Sequence, residues 1–262
     1  MDLLWLYRNA QTSWSCRASV ADFARRLCWT YAHRLPTASS QREWTIGFRL
    51  PQPIGSIKLL LRGNAGSDAF IYSEVFEHQC YRISLTQPPA TILDLGSNIG
   101  LSAIYFARCF PLARLACVEP APENLRLLSR NLELNGVAAE IIPSAVDVTD
   151  GNTWMERGSF DYGHKITHAS EQPSASLFEV ESVSIASIMQ RLGWSRIGLV
   201  KMDIEGHEKA LLSQNCDWLH LTDALCLEYH EHFAESELTR VADQFGFLPP
   251  QRSPSGIWFL RR

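Results

Sequence analysis

The chain has 262 residues, 46% of them hydrophobic and 20% charged, with a net charge of −4. That balance supports an ordinary globular core and excludes a disordered or collagen-like chain. It also argues against general binding to nucleic-acid backbones, which needs a basic face, and no run approaches the roughly 18 apolar residues of a membrane span.

The first 35 residues read as one or two aromatic-rich helices, with Leu3, Leu6, Val20, Phe23, Ala24 and Leu27 at partial helical spacing. They can serve as a homodimer contact, a substrate lid or extra packing. Residues 43–62 read as two strands around Pro51-Gln52-Pro53-Ile54-Gly55. A helix is expected next, capped by Ser67 or Asp68. Pro88-Pro89 sets a boundary, giving an N-terminal helical and hairpin extension at 1–89 and a second unit at 90–262.

From there strands and helices alternate. Strands are expected at 91–95, 114–118, 138–142, 197–202 and 224–229. Helices are expected at 99–109, 122–135, 183–192, from Gly206 to Leu212, and at 234–245. Pro122 suits a first helical turn and Asn135-Gly136 a helix stop. Residues 150–180 read as a loop-rich insertion, and 247–261 as two short closing strands. The expected fold is α/β: a doubly wound, mostly parallel seven-stranded sheet of the Rossmann-like kind, with an antiparallel hairpin at one edge.

The motif richest in chemistry is Asp94-Leu95-Gly96-Ser97-Asn98-Ile99-Gly100, followed by Glu119-Pro120 at the tip of the next strand. A glycine turn lets a ligand approach the backbone, and an acid at the second strand tip can accept both hydrogen bonds of a ribose diol. The G-x-G-x-x-G spacing of a dinucleotide site is absent. An acid just before the turn repels a diphosphate and suits the ammonium and sulfonium of S-adenosylmethionine.

Further acids stand at the other strand tips, in Asp203-Ile204-Glu205 and Glu228-Tyr229-His230. Each is open to a duller reading as a helix-start acid, which is preferred for Glu123 and Glu208. Together with Asn135, Lys201-Met202-Asp203-Ile204-Glu205-Gly206-His207-Glu208 and the Gly66–Tyr81 stretch, these motifs resemble the FkbM-type family of class I S-adenosylmethionine-dependent methyltransferases. The resemblance spans about residues 45–245.

That resemblance implies several roles. Gly96, Ser97, Asn98 and Gly100 would hold the methionine part through backbone contacts, and Asp94 would reach its ammonium. Glu119 would take the ribose, Pro120 and Asn124 would shape that pocket, and Ala145 and Asp147 would sit by the adenine. Asp203 would lie near the reactive methyl, while Glu74 and Tyr81 would close over the cofactor.

Asp203 and His230 lead as catalytic base, ahead of His207 and His232, and Glu205 could bind amides near a helix start. Asp203, Glu205, His230 and His232 could also ligate a divalent ion, but no metal is assigned. His164, Lys165 and His168 either line the acceptor pocket or face water. The expected activity is O-methylation of a hydroxyl on a sugar, polyketide or other specialised metabolite. N-methylation of an amine or amide, and a non-catalytic nucleoside-binding module, stand as alternatives. Seven cysteines with no C-x-x-C pair, Cys109, Cys117 and Cys226 in apolar patterns, and no signal-peptide pattern after Met1 lead to the expectation of a cytoplasmic enzyme.

Overall fold

The computed structural model describes residues 3–32, 42–63, 67–156, 165–167, 177–230 and 235–262. Two helices, α1 (Leu3–Ser15) and α2 (Val20–Ala32), precede an antiparallel hairpin of β1 (Glu43–Arg49) and β2 (Ser56–Arg62). The short α3 (Ser67–Tyr72) runs on into a π-helical turn at Ser73–Glu77. Then come β3 (Thr91–Leu95), α4 (Leu101–Cys109), β4 (Arg114–Val118), α5 (Pro122–Asn135) and β5 (Glu140–Ile142).

A second group follows: β6 (Ala145–Val146), β7 (Gly151–Glu156), β8 (Lys165–Thr167) and β9 (Leu177–Val183). The chain ends through α6 (Ile185–Leu192), β10 (Leu199–Met202), α7 (Glu208–Ser213), a 3-10 turn at Cys216–Leu221, β11 (Ala224–Leu227), α8 (Glu235–Phe245), β12 (Gln251–Arg252) and β13 (Trp258–Arg261).

The main sheet has seven strands in the order β12-β13-β11-β10-β3-β4-β5. Five of them are parallel, and β13 and β12 close one edge antiparallel. The central strands β3, β10 and β11 are buried along their whole length. That is why they read as largely apolar runs, interrupted by Thr91, Asp94 and Lys201, and not as alternating ones. The chain order reverses between β3 and β10, and such a switch point opens a crevice at the strand C-termini. α5 follows its sequence signals, with Pro122 in the first turn and Gly136 in the left-handed conformation that satisfies the last carbonyls.

Where a loop-rich insertion is expected at 150–180, the described segments Gly151–Glu156 and Leu177–Val183 pair antiparallel in a second, four-stranded sheet of order β6-β9-β7-β8. The buried Asp68 carboxylate, in the first turn of α3, accepts from the Arg62 backbone amide at 2.6 Å and from the Arg62 guanidinium at 2.8 Å.

The hairpin packs on the body through side chains of α5. Asn131 accepts from Leu60 N at 2.6 Å and donates to Leu60 O at 3.1 Å, while Asn135 bonds both polar backbone groups of Lys58. These amides satisfy the free edge of β2 as a further strand would. Trp29, Phe48, Tyr72 and Phe76 share one apolar cluster with Ile99, Tyr105 and Phe106, so the N-terminal segment and the sheet have a continuous core. All seven cysteines are free, with Cys117 and Cys226 buried as expected and Cys109 half-buried. Among the described residues no helix is long and apolar enough to cross a membrane.

Candidate active site

A cavity of about 260 Å³ opens at the C-terminal ends of β4, β3, β10 and β11. Glu74, Tyr81, Gly96, Ser97, Asn98, Glu119, Pro120, Asn124, Ala145, Asp203 and His230 all line it, so most of the expected site residues converge on one space. His164, His168 and His232 lie outside the described residues, and Lys165 is described only as backbone.

The turn after β3 is bound tightly to its neighbours. The amides of Gly96 and Ser97 both donate to Val118 O, at 3.0 and 3.1 Å, and Gly100 N donates to Ser97 O at 2.8 Å. Asn98 N donates to Glu119 Oε2 at 2.9 Å. The turn therefore offers no cluster of free amides for a diphosphate, which a dinucleotide site would require. Asn98, which lines the cavity, holds a buried Oδ1 that has no hydrogen-bond partner among the described residues. Gly96 is required by packing on the tip of β10, since a Cβ there would lie 2.0 Å from the Asp203 carbonyl oxygen and φ is +74°. These features fit a cationic nucleoside such as S-adenosylmethionine.

Glu119 is 4% exposed. Its Oε1 accepts from Ala121 N at 3.0 Å and Asn124 Nδ2 at 3.2 Å, and its Oε2 accepts only from Asn98 N. Oε2 keeps a lone pair for a ribose hydroxyl. Burial pushes the Glu119 carboxyl above its usual range, and these donors hold it back. Asn124 is oriented in turn by Arg62, whose guanidinium donates to Asn124 Oδ1 at 2.9 Å while pairing with Asp68. A chain of polar contacts thus runs from the hairpin to the ribose position.

Two expected ligand residues stand behind the cavity wall. Gly100 starts α4 in the left-handed conformation and packs on Leu128. Asp94 is fully buried, accepts from Ser102 Oγ at 2.6 Å and faces Lys201 Nζ at 3.3 Å. The two are cross-strand partners in the β3–β10 register, so Lys201 is the counter-ion of the Asp94 carboxylate. Lys201 also donates to Leu95 O at 3.1 Å and Gly96 O at 2.7 Å. Burial would lower its pKa, but Asp94 and Asp203 outweigh that and raise it. The ammonium is a fixed buttress for the turn.

The far end of the cavity is acidic. Asp203 accepts from Tyr81 Oη at 3.0 Å and lies 3.7 Å from Lys201 Nζ. His230 Nδ1 is 3.1 Å from Glu208, and its Nε2 is 3.7 Å from Asp203, 3.5 Å from Glu205 and 3.7 Å from Glu228. Burial alone would lower the His230 pKa. The Glu208 hydrogen bond and the surrounding carboxylates instead raise it to about 9. An imidazolium carries both ring protons and has no lone pair to accept another, which sets this environment against the general-base role expected of His230.

Asp203, Glu228 and His230 offer atoms within 4.8 Å of one another, as a divalent-ion site would. The positive charge is already supplied there by Lys201 and the imidazolium. Glu208 is no surface acid: it is buried and accepts from Ile204 N at 3.1 Å and Gly206 N at 3.0 Å. That is the amide-binding role expected of Glu205, whose carboxylate instead faces His230. His207 and Asp147 bond each other at 2.8 Å, and neither lines the cavity. Glu74 lies 3.0 Å from His78.

Sequence reasoning named Lys201 and Glu228 within motifs but gave them no role, and gave none to Arg62, Met155 and Phe70. Lys201 could have been found, because two residues before Asp203 on a strand share its face. Met155, from β7, and Phe70, from α3, line the cavity through elements whose position no local motif reveals.

Fold and site together define an S-adenosylmethionine-dependent methyltransferase of the open α/β class. The methyltransferase FkbM domain family matches residues 94–242, more than half of the chain, and the chain belongs to that family. Methyltransferase sdnD of Sordaria araneosa is 46% identical over 66 residues, 25% of this chain and 26% of its own length. Methyltransferase 1 of Beauveria bassiana is 25% identical over 163 residues, 55% of this chain and 65% of its own. The match therefore spans less than two thirds of either relative. The 31-O-demethyl-FK506 methyltransferase FkbM of Streptomyces tacrolimicus is 23% identical over 221 residues, 70% of this chain and 83% of its own. A solved transferase of Pyrococcus horikoshii superposes with TM-score 0.44 at 12% identity, over 89% of this chain and 82% of the other.

Proposed function

We propose that the protein transfers a methyl group from S-adenosylmethionine to a hydroxyl of a small molecule, in the class of sugars, polyketides and other specialised metabolites. The observation that carries this reading is a single cavity that joins the Glu119 end to the Asp203–Glu228–His230 end. A nucleoside at the first end leaves the second for an acceptor. Among the relatives, FkbM of Streptomyces tacrolimicus carries an O-methyl position in its name.

Bound there, S-adenosylmethionine supplies a methyl group on a positively charged sulfur. In this reading the residues divide the work. Glu119 and Asn124 hold the ribose, with Pro120 beside them, and Ala145 and Met155 wall the base. Asn98 Oδ1 and the carbonyl-rich turn receive the ammonium. Asp203, held by Tyr81, sits nearest the reacting methyl, and Glu74 and Tyr81 belong to the wall above. Phe70, 57% exposed at the rim, with Ile71 and Val75, gives the acceptor an apolar seat. Holding acceptor and methyl in line is worth effective molarities of about 10⁵–10⁸ M. Residues 1–89 act as an extension that completes the wall of the 90–262 domain, in a cytoplasmic enzyme of natural-product biosynthesis.

The acidic acceptor end also suits an amine, which supports N-methylation as the second reading. Incubating the protein with methyl-labelled donor and paired hydroxyl and amine acceptors, followed by product mass spectrometry, decides between them. Label on oxygen is expected, and label found only on nitrogen overturns the first reading. Calorimetry showing binding of NAD in place of S-adenosylmethionine would overturn both.

A further inference from the structure

We propose that Glu228, and neither Asp203 nor His230, is the general base that takes the acceptor's proton, an inference that rests on the methyl-transfer reading above. Glu228 follows β11 directly. Its backbone amide bonds Met202 O at 2.9 Å, which brings the residue beside Asp203 at the tip of β10. Its side chain lines the cavity and is 46% exposed, so a proton received there can leave to water.

The other carboxylates of the cavity are committed. Glu119 accepts three N–H groups, Asp203 accepts the Tyr81 hydroxyl and faces Lys201, Glu74 is paired with His78, and Glu205, which also lines the cavity, lies against His230 Nε2 at 3.5 Å. Glu228 accepts no hydrogen bond among the described residues, and its nearest ion partner is His230 Nε2 at 3.7 Å. His230 is tethered through Nδ1 to the buried Glu208. It stands as a fixed cation among Asp203, Glu205 and Glu228, a positioning residue with no lone pair to accept a proton.

The groups facing Glu228 are Asp203 and Lys201 from β10, Glu205 from the turn after it, His230, and Cys80 and Tyr81 from the segment before β3. Partial burial and the Asp203 carboxylate push Glu228 up to about 7, against the pull of His230 and Lys201. A base poised near the working pH is the efficient kind. In the step, the acceptor oxygen bonds the methyl carbon as the carbon–sulfur bond breaks and its electron pair returns to sulfur. The hydroxyl proton passes to Glu228, so a carboxylate and a sulfonium become a carboxylic acid and a neutral thioether.

Two measurements test this, and the first needs no acceptor. With glutamate carboxyls labelled with carbon-13 and S-adenosylhomocysteine bound, the resonance lost in Glu228→Gln should titrate near pH 7. A midpoint below pH 5 overturns the proposal. The second uses 4-nitrophenyl β-D-glucopyranoside as the hydroxyl probe. Glu228→Gln should lower kcat by about 10²–10⁴-fold, abolish the rise of kcat with pH and leave S-adenosylhomocysteine affinity within about twofold, with Glu228→Asp restoring part of the rate. Equal losses in Glu205→Gln and Glu228→Gln would mean a merely electrostatic role and overturn the proposal. So would activity that a chelator removes and magnesium restores. If the wild type binds S-adenosylhomocysteine but methylates no hydroxyl, the O-methylation reading fails while the titration still decides on Glu228.

Discussion

At the β4 end of the cavity Glu119 accepts three N–H groups, whereas at the β11 end Glu228 accepts none among the described residues and shares one imidazolium with Asp203 and Glu205. Both ends are built from acids at parallel strand tips, yet they suit opposite tasks. A carboxylate held by three donors is fixed in place, and those donors offset the cost of burying its charge, which serves a ligand that must be bound the same way each time. A carboxylate crowded by others of like charge is easily protonated, which serves a step that moves a proton. Lys201 stands between the two, braced on the turn carbonyls of one end and 3.7 Å from Asp203 of the other.

The sharpest way to break the ordered end is to remove that ammonium. Lys201→Met leaves Asp94 charged, fully buried and without its counter-ion, and should destabilise the protein by about 3–5 kcal/mol in denaturant unfolding. Adding Asp94→Asn should recover much of that loss. Equal stabilities for the single and double variants would contradict the pairing.

At the crowded end the effect is set by pH. The folded protein holds His230 at about 9, above the ordinary imidazole value of 6.5. Its stabilising contribution is therefore fully present below pH 6.5 and is lost as pH rises towards 9. Across that interval the wild type should lose on the order of 1–3 kcal/mol that His230→Gln does not lose. Parallel stability curves for the two proteins would contradict the imidazolium. A smaller effect is expected at the hairpin. Arg62→Met frees the Asn124 amide and should weaken S-adenosylhomocysteine binding by about 0.5–1.5 kcal/mol. That loss should shrink for an analogue lacking the ribose hydroxyls, and an equal loss with both ligands would mean that Arg62 acts on the fold alone.

How much of this the residues announce in advance differs between the same two regions. The Asp94–Gly100 turn, Glu119 and α5 are legible because their signals are local: a glycine that must take positive φ, an acid at a strand tip, Pro122 and Gly136 at the two helix ends. The second sheet is not, although Leu177–Val183 alternates in polarity. Its partner Gly151–Glu156 is more than 20 residues away in sequence, and pairing across such a gap leaves no local mark. The roles within the acidic end are illegible for a related reason. Glu205, Glu208 and Glu228 look alike in sequence, and only the fold shows that Glu208 is buried on two backbone amides while Glu228 accepts none. The ion pair of Asp94 is equally hidden, because its cross-strand neighbour Lys201 lies 107 positions on and is visible only in the β3–β10 register.

The division of labour is tested most directly by calorimetric titration of S-adenosylhomocysteine into the wild type, Glu119→Gln and Glu228→Gln under one set of conditions. The account predicts a loss of roughly 10–100-fold in affinity for Glu119→Gln, the value of one or two hydrogen bonds to a charged group, and wild-type affinity for Glu228→Gln. Comparable losses in both variants, or none in Glu119→Gln, would contradict it.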